Sequence, residues 1–112
     1  MSDTTQKLEQ QREAAKELVE FRDMAQRLAS NSDFRRLIHD EYMVKDAARL
    51  AGMAGDPILD PQQRTDAMQM AMAAGHLRRF LSTTIQRGNK GEDDILAINQ
   101  DLDEVRAEEA QD

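Results

Sequence analysis

The sequence predicts an all-α fold: a small helical bundle or helical hairpin of about four helices, with coiled-coil-like N- and C-terminal helices. Three observations predict it. Leu, Met, Ala, Glu, Gln, Arg and Asp dominate the 112 residues, with only four aromatics (Phe21, Phe34, Tyr42, Phe80) and two prolines, a composition of helix formers poor in strand formers. Apolar residues recur three and four apart over most of the chain. Polar cap clusters and glycines separate these periodic stretches. At this length one domain is expected over residues 1–112: a polar stretch 1–17, a helical body 18–88 and an acidic amphipathic helix 92–110.

The first helix is expected over residues 3–29. Leu18, Phe21, Met24, Ala25 and Leu28 follow helical spacing and form its candidate packing stripe. The residues up to Lys16 are so polar that they should be exposed, frayed or docked on another subunit. On the solvated face, Glu9, Glu13, Lys16 and Glu20 can form alternating charge pairs.

Ser30-Asn31-Ser32-Asp33 ends that helix and caps the next. The second helix carries the stripe Phe34, Leu37, Ile38, Tyr42, Ala48 and Ala51 and stops near residues 52–55. In the loop that follows, Ile58 and Leu59 are expected to plug the edge of the core. Asp60-Pro61-Gln62-Gln63 then reads as a helix start, with Asp60 as N-cap, Pro61 in the first turn and Gln63 completing a capping box. The third helix presents Ala67, Met70, Ala74, Leu77, Leu81 and Ile85 inward, and Gly88 is expected to stop it. Gly75, in mid-helix, costs about 1 kcal/mol relative to alanine and so predicts a close approach of two backbones there. Met68, Met70 and Met72 alternate along the helix. Core filling with one exposed Met is expected, a promiscuous apolar groove being the alternative.

Asn89-Lys90-Gly91 reads as a flexible link to a fourth helix, which holds nearly all of the net charge. Residues 91–112 contain nine acids and one base, a net −8, whereas residues 1–90 contain 13 acids and 14 bases, a net +1. Ile95, Ile98, Leu102 and Val105 fall at steps of three and four, which places one apolar seam among carboxylates. Glu92, Asp93 and Asp94 sit where negative charge complements the helix dipole. A solubilising disordered tail is the competing reading.

Catalytic constellations are missing. His39 and His76 lie far apart with no helical metal-ligand spacing, and there is no phosphate loop, nucleophile elbow or cysteine. Val44 to Gly52 has the spacing of the first half of a helix-turn-helix, but Asp56-Pro57 and Asp60-Pro61 interrupt the second half. Neither an enzyme, a cofactor, a metal nor a small-molecule substrate is therefore expected. A net charge of −7 argues against direct nucleic-acid or anionic-membrane binding. No apolar run suggests a membrane span or signal peptide. Arg35-Arg36 and Arg78-Arg79 are either solvated or contacts for phosphate or an acidic helix, including a clamp on Asp101, Asp103 or Glu104.

Over residues 18–110 the chain resembles short tailed-bacteriophage proteins encoded near capsid and portal genes. The resemblance runs through Leu18 with Phe21-Arg22-Asp23 and Leu28, Asn31 with Asp33-Phe34, and Leu37-Ile38 with Tyr42. It continues in Ala47-Ala48-Arg49-Leu50, Gly75-His76-Leu77-Arg78 with Phe80-Leu81, Ile85-Gln86 with Gly88, and the acidic helical end. It implies a virion or assembly protein, located in the host cytoplasm or the virion. The expected partners are further copies of the chain or a phage structural protein. Candidate contacts are Leu18, Phe21 and Leu28 on the first helix, Ile95, Ile98, Leu102 and Val105 on the last, and Arg35, Arg36, Arg78 and Arg79. The alternative is an acidic inhibitor or DNA-mimic-like adaptor that occupies a basic site on a host or phage protein.

Overall fold

The computed structural model of the chain describes residues 3–111, and all the regular structure in them is helical. Among the described residues there are three helices rather than four. Helix α1 is Asp3–Ser30. Helix α2 is π-helical over Phe34–Asp46 and α-helical over Ala47–Ala54. Helix α3 is Pro61–Gln111, 51 residues long. The chain divides into two compact units: Met1–Ala25 with Thr84–Asp112, and Gln26–Thr83.

The predicted helix starts are present and their chemistry is visible. Asn31 caps α2, its Oδ1 accepting the Phe34 N–H at 2.9 Å. At the start of α3 the capping box is reciprocal. The Gln63 N–H donates to Asp60 Oδ1 at 2.9 Å, and the Asp60 N–H donates to Gln63 Oε1 at 3.3 Å. Two amide hydrogens that the helix leaves unpaired are thus satisfied. Asp60→Ala is expected to cost about 1 kcal/mol. A urea titration of the variant, read as a lower midpoint at unchanged slope, measures that loss.

In the unit Gln26–Thr83, α2 packs against the first turns of α3. Met43, Leu50, Ala67 and Ala74 are buried, and Phe34, Ile38, Tyr42 and Ala47 are half-buried. The expected stripe on α2 fails at Leu37, Ala48 and Ala51, which are exposed. The π-helical turn explains this. Hydrogen bonds five residues apart make a wider turn than the 3.6 residues of an α-helix, so inward positions recur at Phe34, Ile38, Met43 and Ala47. Leu50 follows once the α-helix resumes. In the loop Leu59 is half-buried, but Ile58 is 90% exposed and does not plug the core. All three of Met68, Met70 and Met72 are more than half exposed, so core filling is not their role. Small Ala67 and Ala74 take the inward positions instead.

Three glycine expectations are corrected. A Cβ on Gly75 would meet nothing within 4 Å, so no backbone approaches there. Gly88 does not stop α3 and Gly91 is not in a link: the helix passes through both, and both are buried. Their role is the close approach wrongly expected at Gly75.

Candidate functional site

The unit Met1–Ala25 with Thr84–Asp112 is built on a seam between α1 and the second half of α3. On α3 the seam continues the predicted spacing backward, through Gly88, Gly91, Ile95, Ile98, Leu102 and Val105, at steps of three and four. On α1 it is made of Thr5, Leu8, Arg12, Ala15, Val19 and Arg22, with the same steps. Thr5, Ala15, Ile98 and Leu102 are buried, Leu102 to 1% exposure. The helices run antiparallel, since the pairs are Glu9 with Arg106 (3.8 Å), Arg12 with Asn99 (3.0 Å) and Arg22 with Glu92 (2.7 Å).

Close packing at one end of the seam depends on the glycines. A Cβ on Gly91 would lie 2.9 Å from the carbonyl oxygen of Ala15, and one on Gly88 would fall on the Cβ of Arg22. The Arg22 stem therefore lies across the bare backbone of α3. Its guanidinium reaches past that backbone to Glu92 at 2.7 Å, Asn89 at 3.2 Å and its own neighbour Asp23 at 3.1 Å. The hydrogen bond to Glu92 is the main reason the Arg22 pKa is raised further above its ordinary value, against a lowering by desolvation. Arg12 is only partly satisfied. Its Nη1 donates to Asn99 Oδ1, while its buried Nε has no partner among the described residues.

This seam changes the status of the predicted contact residues. Ile98 and Leu102 are covered within the chain, with Ile95 and Val105 half-buried beside them, so the acidic helix already has its apolar partner. The partner is the polar first half of α1, helical from Asp3, which turns its seam stripe to α3 and leaves most of its other residues exposed. Because α1 turns the stripe of Thr5, Leu8, Arg12, Ala15, Val19 and Arg22 inward, Leu18 is left at the flank of the seam, its Cβ 3.4 Å from where a Cβ on Gly91 would stand. Leu18 is 37% exposed, Phe21 46% and Met24 46%. Of these, Leu18 lines an open groove of about 440 Å³ together with Gln11, Ala14, Ala15, Asp94, Ala97 and Ile98. That volume falls in the range of small-molecule sites, but such sites enclose the ligand and converge several polar groups on it. Here the trough is open and offers only Gln11 and Asp94. A trough between two helices suits the apolar edge of a third helix.

The remaining predicted contacts lie in the other unit. Leu28 is exposed, as are Arg35, Arg36, Arg78 and Arg79. Arg78 makes a long hydrogen bond, 3.4 Å, to the Met43 carbonyl. None of the four arginines has an ion pair among the described residues. The cations that do meet the acidic helix are Arg22 on Glu92 and Lys90 on Asp94. His39 is exposed beside Asp40, 2.8 Å away, and His76 is exposed. Among the described residues no group of three or more His, Cys, Asp or Glu could hold a metal ion, and no helix is long and apolar enough to cross a membrane.

Sequence reasoning missed Gly88, Gly91, Arg12, Arg22 and Asn99. A signal for the glycines did exist, because 88 and 91 extend the heptad steps of the seam by one further repeat. Compared with family models, with curated proteins and with solved structures, the chain matches none of them.

Proposed function

We propose that the chain is a non-enzymatic assembly protein of a tailed bacteriophage, a virion, scaffolding or head-associated component that acts by docking helices. The observation that carries this reading is the exposed pair Leu18 and Phe21, with Leu18 lining an open trough, on a helix whose seam stripe is already filled. Apolar side chains grouped on a firm helical face mark a protein contact more often than a solvated surface. The phage resemblance supplies the setting, host cytoplasm or virion. The Leu18→Glu, Phe21→Glu double variant tests it. Thermal unfolding should move by no more than a few degrees, whereas copurification with virion components should be lost. A variant that copurifies as the wild type does would overturn the reading.

A second reading is favoured by one observation. Asp101, Asp103, Glu104, Glu108 and Glu109 are exposed and without an ion pair among the described residues, as an adaptor for a basic site would require. Removing residues 91–112 is no test of it, because that deletion would strip α1 of its seam. Asp101→Asn, Asp103→Asn and Glu104→Gln together keep the seam. Under this reading they should weaken partner binding, which should also fall steeply between 50 and 200 mM salt as the screening length shortens to about 10 Å or less. Binding insensitive to both would exclude it.

A further inference from the structure

We propose that the partner for the Leu18–Phe21 face is a second copy of this chain, docked antiparallel about a two-fold axis. The proposal rests on the assembly reading and names the occupant of the same site. It comes from a second heptad row on α3, beside the seam: Arg87, Lys90, Asp94, Ala97, Asp101 and Glu104, again at steps of three and four. Asp94 and Ala97 of this row line the trough together with Ala14 and Leu18 of α1. Both helices of the unit therefore turn a second stripe toward the same side, which a two-helix hairpin by itself has no means of covering.

The row changes sign along its length. It begins with two bases and ends with two acids, and between them stand Asp94, bonded to Lys90 of its own helix, and small Ala97. Arg87, Asp101 and Glu104 have no ion pair among the described residues. Lys90 has only an exposed bond to Asp94 in its own helix, 3.0 Å long. Laid on an identical row running the same way, these charges would meet like with like. Reversed about an axis between Asp94 and Ala97, Lys90 comes opposite Asp101 of the other copy and Arg87 opposite Glu104. Both pairs then lie symmetrically about the axis, which is the self-complementarity that a two-fold interface requires.

The register of α1 agrees. Gly91 packs on Ala15 and Asn99 bonds to Arg12, so the same axis crosses α1 at the level of Ala14. Ala14 and Ala97 thus lie near the axis and leave room for close approach, and Asp94, equally near it, carries its charge against Lys90 of its own helix. Leu18 of each copy then enters the trough beside Gln11 and Ala14 of the other. The apolar residues supply the association, and the exposed ion pairs fix its direction and register.

Sedimentation or light scattering from micromolar to several hundred micromolar protein tests this, with helix content and melting as controls on folding. The wild type should dimerise. Arg87→Glu with Lys90→Glu, or Asp101→Lys with Glu104→Lys, should each weaken the dimer by roughly tenfold or more. All four changes in one chain should restore it, as should mixing the two double variants. A dimer indifferent to both reversals would overturn the antiparallel register. A wild type that stays monomeric would overturn the second copy as occupant. In that case the Leu18→Glu, Phe21→Glu variant separates the two claims. If it still loses copurification with virion components, the assembly reading stands with a different partner, and if it does not, both fail.

Discussion

Gly88→Ala is expected to destabilise the protein even though alanine is the better helix former. In an open helix the change would gain about 1 kcal/mol. Here the new methyl falls on the Cβ of Arg22, an atom fixed to the α1 backbone, so the two helices must separate. Overpacking of this kind costs about 1–3 kcal/mol, and the net effect should be a loss of up to about 2 kcal/mol. Gly75→Ala is the control. It meets nothing within 4 Å on an exposed stretch of the same helix, and should stabilise by about 0.5–1 kcal/mol. Denaturant titration of the two variants should therefore give midpoints displaced in opposite directions. Midpoints that both rise would mean that Gly88 is not a packing glycine.

Leu102→Ala should have the largest effect of any single truncation. Leu102 is the most deeply buried large side chain, at 1% exposure, and removing most of it from a seam between two helices costs about 2–5 kcal/mol. That is a large share of the roughly 5–15 kcal/mol that holds a domain of this size together. Because the seam is mutual, the loss should not stay local. Amide hydrogen exchange should quicken in residues 3–25 as well as around residue 102. Faster exchange confined to α3 would show that α1 does not depend on the seam.

The parts of this fold that the sequence makes legible are those decided by short-range chemistry. Asp60 and Gln63 announce their capping box, Asn31 its cap, and Ile95, Ile98, Leu102 and Val105 their seam. What it hides is decided by contacts far along the chain. Gly88-Asn89-Lys90-Gly91 has the composition of a helix stop, yet the approach of α1 makes it the tightest part of a continuous helix. The stripe that answers the seam sets Leu8 and Val19 among Thr5, Arg12, Ala15 and Arg22, which leaves too little apolar character to show a period. On α1 the visible period belongs to Leu18, Phe21 and Met24, which stay exposed. On α2 the π-helical turn changes the period within the element, so a single template misplaces Ala48 and Ala51. For the candidate site, the residues at Leu18 and Phe21 were readable, but their exposure was not. It follows from which stripe α1 buries.

The seam also imposes an order on synthesis. Arg12 and Asn99 are 87 positions apart and Arg22 and Glu92 are 70 apart, separations more typical of slow β topologies than of helical proteins. Residues 26–83 form a contiguous unit and have all their partners once they leave the ribosome. The first 25 residues have to wait for the last ones. Until then Leu18 and Phe21 are carried on a nascent helix with no second strand of the hairpin beside it, a state open to aggregation or to a folding helper. A ribosome stalled before residue 88 should hold α1 in a protease-sensitive form, and emergence of residues 84–112 should protect it.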